Sequence, residues 1–164
     1  MTPAEWTDAN EGPDVALLPT DGLPPRETVW LFGKTENGPL SAHFSLHEFH
    51  CRCNDRGCHQ TLIHPRLVDV LQTLRESLGR PLPLTSGFRC KTYNRVVGGR
   101  IRSQHTRGMA ADIACASLAQ VEELAAAAQK LPAVGGLGKY PARLFVHIDV
   151  RPRNHNTTPE MWIG

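Results

Sequence analysis

Leu67, Leu71, Leu74 and Leu78 recur at four- and three-residue spacing behind Pro65, with mostly polar residues between them. That is the period of a helix with one buried face. It predicts a helix from Pro65 to Gly79, with proline setting the first turn and glycine the stop. A second helical period runs through Leu118, Val121, Leu124, Ala125 and Ala128. Ser117-Leu118-Ala119-Gln120 opens it with capping-box order, and it is expected to run to about Leu131. Ser45-Leu46-His47-Glu48 has the same order and predicts one helical turn, and Lys91 to Val97 predicts another, ended by Gly98-Gly99. Leu82 to Thr85, Ala110 to Ala114, Val134 to Tyr140 and Leu144 to Val150 read as strands, the last two joined by a turn at Pro141. Helices and strands do not alternate as βαβ units. The predicted class is therefore α+β, with a small, largely antiparallel sheet and helices packed on one side.

Residues 1–42 differ in texture. Six prolines and four glycines fall in the first 40 residues, which predicts an extended arm with one short strand, Thr28 to Phe32, ending at Gly33. The compact domain is expected over 43–164. A chain of 164 residues, 40% apolar and 21% charged, suffices for one domain with its own core. The net charge of +2 is small and the basic residues are scattered, so no nucleic-acid footprint is expected. No run approaches a membrane span, and Met1 to Trp6 has neither the basic nor the apolar region of a Sec-type signal peptide. A monomer is expected.

Candidate chemistry centres on His105-Thr106-Arg107-Gly108-Met109-Ala110-Ala111-Asp112 and on His147 in Phe145-Val146-His147-Ile148-Asp149-Val150. His105 lies in a polar loop and can point into a cleft. Asp112 and His147 are flanked by apolar residues, and a carboxylate in such a strand is costly unless it is paired or bound to a cation. Two histidines and one carboxylate can hold a zinc ion and leave its fourth position open for water, as in hydrolytic zinc sites.

Ser86-Gly87-Phe88-Arg89, Asn94, Gly98-Gly99, the run Ser103 to Asp112 and then His147 together resemble the signature of the M15 zinc peptidases. These are D-alanyl-D-alanine carboxypeptidases and peptidoglycan endopeptidases whose fold is shared with the zinc domain of hedgehog signalling proteins. The resemblance covers about residues 43–152. It implies His105, Asp112 and His147 as zinc ligands, Arg89 as the cation facing a substrate carboxylate or polarised carbonyl, and Ser103 as a polar substrate contact. A planar guanidinium suits those roles. The resemblance further implies hydrolysis of peptidoglycan stem peptides. The enzyme would then act on the cell wall, from the cytoplasm or after export by a route not legible here.

One departure matters. Many members carry an acidic general base three residues before the last histidine ligand, and Leu144 stands there. Asp149 is the nearest substitute, since a strand points it to the same face as His147. It is expected to act as the base or to orient a neighbouring group, with a structural bond to Arg151 as the plain alternative. His155 is a weaker candidate. If no base exists, the chain is instead a zinc-containing wall- or peptide-binding module.

Cys51, Cys53 and Cys58, with Cys90 directly after Arg89, form a second constellation. Either they bind a structural zinc, with His59 able to replace one of them, or one or two disulfides pin the segment to the core, or they are plain reduced and partly buried thiols. Cys51 and Cys53 are too close in sequence to bridge each other comfortably. Cys115 is expected to be an ordinary core residue.

Overall fold

The computed structural model describes residues 15–17, 28–153 and 157–164. Among these residues there are two sheets and three α-helices. Strands β1 (Val15–Leu17), β2 (Val29–Gly33) and β3 (Gln60–Ile63) make a three-stranded sheet in that order. Helix α1 (Pro65–Leu78) follows, then β4 (Leu84–Ser86), α2 (Lys91–Val96), β5 (Ala110–Ala114), α3 (Leu118–Gln129), β6 (Gly136–Tyr140), β7 (Phe145–Asp149) and β8 (Glu160–Ile163). The second sheet has the order β4-β5-β7-β6-β8, antiparallel except for the β6–β8 pair. The class is α+β, as the periodicities imply.

Both predicted helices form where their apolar periods lie. In α1, Pro65 occupies the first turn, Leu67, Leu71 and Leu74 are buried, and Gly79 closes the helix at φ 62°. In α3, the Ser117 hydroxyl accepts from the Gln120 amide, and Val121, Leu124, Ala125 and Ala128 are buried. This face packs on β6 and β7. The sheet residues that meet it are Ala111, Ile113, Leu137, Val146 and Ile148, all in the main core. Strand alternation then sends Asp112, Gly138 and His147 to the opposite face, away from the helices.

Two expectations need correction. The packed unit does not begin at His43. β2 pairs with β3 in antiparallel register, Trp30 and Phe32 sit in the main core, and Val29 and Leu31 pack with Leu62, Phe88 and three cysteines. Burying side chains of this size stabilises by roughly 1.5–3 kcal/mol each, so β2 is part of the domain and not of an arm. The expected single sheet is also two. β1, β3 and β8 were not foreseen, being segments of three or four residues with too little sequence to show a period.

Candidate metal centre

The sheet register lays one row of residues across all five strands. Ser86 lies beside Asp112, Asp112 beside His147, His147 beside Gly138, and Gly138 beside Trp162. His105 reaches this row from a 3-10 turn, Gln104–Arg107. The Ser103 hydroxyl caps that turn by accepting from the His105 amide at 3.3 Å, and Gly108 ends it at φ 70°. Ser103, foreseen as a substrate contact, thus positions the turn while also lining the cleft above.

Three donor atoms converge. His105 Nε2 lies 3.2 Å from Asp112 Oδ1 and 3.2 Å from His147 Nδ1, and the last two are 3.0 Å apart. Outer partners decide which ring nitrogens carry protons. His105 Nδ1 donates to the Gly87 carbonyl at 2.7 Å, which leaves Nε2 as a bare lone pair. His147 Nε2 donates to Asp149 Oδ2 at 2.9 Å, which leaves Nδ1 bare. With both rings neutral, two lone pairs and a carboxylate oxygen face one point, an arrangement that suits a cation. Tetrahedral zinc with bonds of ~2.0–2.1 Å separates its ligand atoms by about 3.3 Å, close to the spacing here. His105, Asp112 and His147 are buried and can hold a metal ion together.

The electrostatics agree. Burial lowers the pKa of His105 and favours the neutral ring that a metal needs. Burial also works against ionised Asp112, but bonding to His105 and His147 overrides it and holds the carboxyl below its usual range. His147 differs: burial opposes its charged form, but Asp112 and Asp149 outweigh it and raise its pKa, so a metal ion at Nδ1 would displace a proton that Asp112 otherwise favours there.

Asp149 is not placed as a proton acceptor. It is 0% exposed and sits behind His147, against the nitrogen that faces away from the donor cluster. Its oxygens accept from Arg151 Nε at 2.8 Å, Arg151 Nη2 at 2.7 Å and the Arg151 amide at 3.1 Å. The geometry makes it the residue that fixes the His147 tautomer. Leu144 adopts a left-handed conformation at φ 52°, packs against the core and lies outside the cleft lining. His155 falls outside the described residues.

Arg89 has an acidic partner that its neighbours in sequence do not reveal. Its Nη2 donates to Asp112 Oδ2 at 2.7 Å and its Nε to the Ser86 hydroxyl at 2.8 Å. Its third nitrogen, Nη1, makes no hydrogen bond among the described residues, and Arg89 lines the cleft. It therefore both holds a candidate ligand and can meet a substrate.

A cleft of about 990 Å³ opens over the centre. Six arginines line it (Arg89, Arg100, Arg102, Arg107, Arg143 and Arg151), and among the described residues its one acidic side chain is Asp112. One wall is aromatic. Trp162 lies over the His147 ring at 5.2 Å and donates to the Tyr140 hydroxyl at 3.0 Å, and Tyr140 stacks on Phe145 at 4.2 Å under the Arg143 guanidinium. Gly138 permits this, because a Cβ there would stand 2.4 Å from Trp162 Nε1. Sequence reasoning missed Trp162, Tyr140 and Arg143, and foresaw Arg151 only as a structural partner of Asp149, the bond that the structure shows. Trp162 gave no signal, since it follows a loop and sits in a four-residue strand.

The profile of the peptidase M15 family matches residues 42–149, a span that contains Arg89 and all three candidate ligands. The chain belongs to the M15 peptidase family. Curated M15 relatives include the peptidoglycan L,D-endopeptidase MepK of Escherichia coli K12 and that of Shigella flexneri. Each is 38% identical over 100 residues, which is 57% of this chain and 54% of the relative. The chain thus spans about half the length of the curated relatives it matches. Of the aromatic wall, Tyr140 and Phe145 lie within the matched span and Trp162 of β8 lies beyond it.

Outside the centre, the structure brings Cys51, Cys53, Cys58 and Cys90 together as free thiols. Among the described residues His59 is not in that group, and Cys115 is a buried core residue as expected. No helix among the described residues is long and apolar enough to cross a membrane.

Proposed function

We propose that this domain hydrolyses peptide bonds in peptidoglycan stem peptides, with one zinc ion held by His105, Asp112 and His147. The observation that carries the reading is the convergence of two ring nitrogens and a carboxylate oxygen beneath a cationic cleft. When bound, zinc supplies Lewis acidity at the scissile carbonyl and lowers the pKa of a coordinated water. The protein's own residues do the rest. The Gly87 carbonyl and Asp149 keep each histidine's proton on its outer nitrogen. Arg89 turns its Nη1 edge to the developing oxyanion or to a substrate carboxylate. The arginine-lined walls attract the carboxylates of the stem peptide, and the Trp162–Tyr140 wall packs its apolar stems. The name of the MepK relatives favours an internal cut over removal of a terminal D-alanine, with the cell wall as the place of action.

A second reading is a zinc-containing module that binds wall peptides without cutting them. It is favoured by the lack of any acidic side chain other than Asp112 among the described cleft residues. Digestion of purified peptidoglycan with and without chelator, followed by mass analysis, separates the two. Soluble muropeptides cut at a peptide bond, and lost on chelation, support hydrolysis. Binding to intact wall with no released fragment supports the module.

A further inference from the structure

The four clustered cysteines have no part in the chemistry above. Their sulfurs all lie within 4.8 Å of one another, and Cys90 Sγ is 3.8 Å from Cys53 Sγ. Sulfurs held tetrahedrally at ~2.3 Å from one zinc ion stand about 3.8 Å apart, whereas a disulfide needs ~2.05 Å. An iron–sulfur cluster is larger than a single ion and needs its thiolates further apart than this. Three of the four sulfurs accept a hydrogen bond from the protein. The Cys90 amide donates to Cys51 Sγ at 3.3 Å, the Tyr93 amide to Cys90 Sγ at 3.4 Å, and the Lys34 ammonium to Cys53 Sγ at 3.2 Å. Lys34 also grips the Cys53 carbonyl at 3.1 Å, so a cation sits where a tetrathiolate centre carries surplus negative charge.

Local structure gives a reason for such a centre. Residues 51–59 contain no helix or strand, and Arg52, Asn54, Asp55, Arg56 and Gly57 offer nothing apolar to bury. The cysteines are what the segment places inside, with Cys51, Cys58 and Cys90 all under 10% exposed. Cys90 is also the N-cap of α2 and follows Gly87, Phe88 and Arg89 directly.

We propose that Cys51, Cys53, Cys58 and Cys90 hold one structural zinc ion that ties this segment to the start of α2. The same ion then anchors the stretch that supplies the Gly87 carbonyl to His105 and the Arg89 guanidinium to Asp112. Binding forms four zinc–sulfur bonds and releases the four thiol protons to solvent, with no change of oxidation state. The inference stands independently of the hydrolytic reading, because the two ligand sets share no residue.

The test uses the full chain purified under reducing conditions. The parent protein should contain two zinc ions per chain, and His105→Ala/His147→Ala should retain one. Titrating that double variant with an organomercurial should release its remaining zinc as four thiols react, and cobalt in its place should show sulfur-to-cobalt charge-transfer bands. Cys58→Ser should lose one zinc, and the double variant keeps the test decisive if Cys58→Ser does not fold. A double variant free of zinc with four freely reactive native thiols would overturn the proposal. So would a parent protein that, purified without reductant, gains two hydrogens in mass per bridge on reduction. Either result leaves the His105–Asp112–His147 assignment untouched.

Discussion

Asp149→Asn keeps the shape of the side chain and removes its charge. Asp149 is fully buried, accepts a hydrogen bond from His147 Nε2 and accepts three more from Arg151. An amide can present oxygen to His147 or to Arg151, but it cannot serve both as a carboxylate does. If its NH2 faces Nε2, the ring must move its proton to Nδ1, and the lone pair aimed at the metal is lost. Loss of such an outer partner costs about 10–100-fold in metal affinity, or ~1.4–2.7 kcal/mol. Breaking a buried ion pair costs about 3–5 kcal/mol. Arg151 is 26% exposed and keeps Glu160 at 2.7 Å, which places the cost at the lower end. At ~2–4 °C per kcal/mol for a chain of this size, the melting temperature should fall by roughly 6–12 °C. Zinc affinity is measured by competition with a chromogenic chelator, and turnover at saturating zinc. Affinity should drop, and saturating zinc should restore most of the rate. Unchanged affinity with turnover abolished at saturating zinc would refute this and return Asp149 to the role of proton acceptor.

Arg89→Ala removes both the 2.7 Å partner of Asp112 and the edge offered to the substrate, so wall digestion at saturating zinc should fall by about 10²–10³-fold; a rate within threefold of the parent would remove Arg89 from the chemistry. Gly138→Ala drives a Cβ to 2.4 Å from the Trp162 ring, so the indole should leave His147, at a cost of about 1–3 kcal/mol, with altered tryptophan fluorescence and a raised KM; a protein unchanged in all three would mean the wall has no role. Burial opposes ionisation of Asp149, but His147 and Arg151 hold its pKa down to about 2, below the ordinary ~3.9, so the unfolded chain takes up the proton first. The stability from this group is full above about pH 4 and should be lost as pH falls towards 2, to the extent of about 2–3 kcal/mol. Urea midpoints of chelator-treated protein should therefore fall across that window, and Asp149→Asn should flatten the fall; equal acid sensitivity in the two proteins would contradict the assignment.

Two of the three candidate ligands, Asp112 and His147, were legible because their setting was discordant, and His105 because it stands in a polar loop seven residues before Asp112. An aspartate between alanines and isoleucine, and a histidine between valine and isoleucine, have no cheap place in a strand unless something binds them. The helices were legible because α1 and α3 each hold their period for three turns or more. β2 was read as a strand but placed in an arm, because its pairing with β3 joins segments about thirty residues apart. A period of two put Asp149 on the same face as His147, but not which nitrogen it would meet, and that detail separates an orienting group from a base. Arg89 looked unpaired because Asp112 lies 23 residues further on and meets it only through the β4–β5 register.

The single row running through Ser86, Asp112, His147, Gly138 and Trp162 makes the site intolerant of changes in chain length in a particular way. Inserting one residue within β5 or β7 ahead of its ligand would rotate that ligand into the helix-covered core and bring an alanine, valine or isoleucine to the cleft. Inserting two would restore the face yet carry the ligand about 6.8 Å along its strand, beyond reach of its partners. Length variation compatible with this centre is therefore confined to the connections between strands. Gain or loss of one residue at 134–135 or 141–144, where the chain enters and turns between β6 and β7, should be the sharpest probe of how strictly that row is kept.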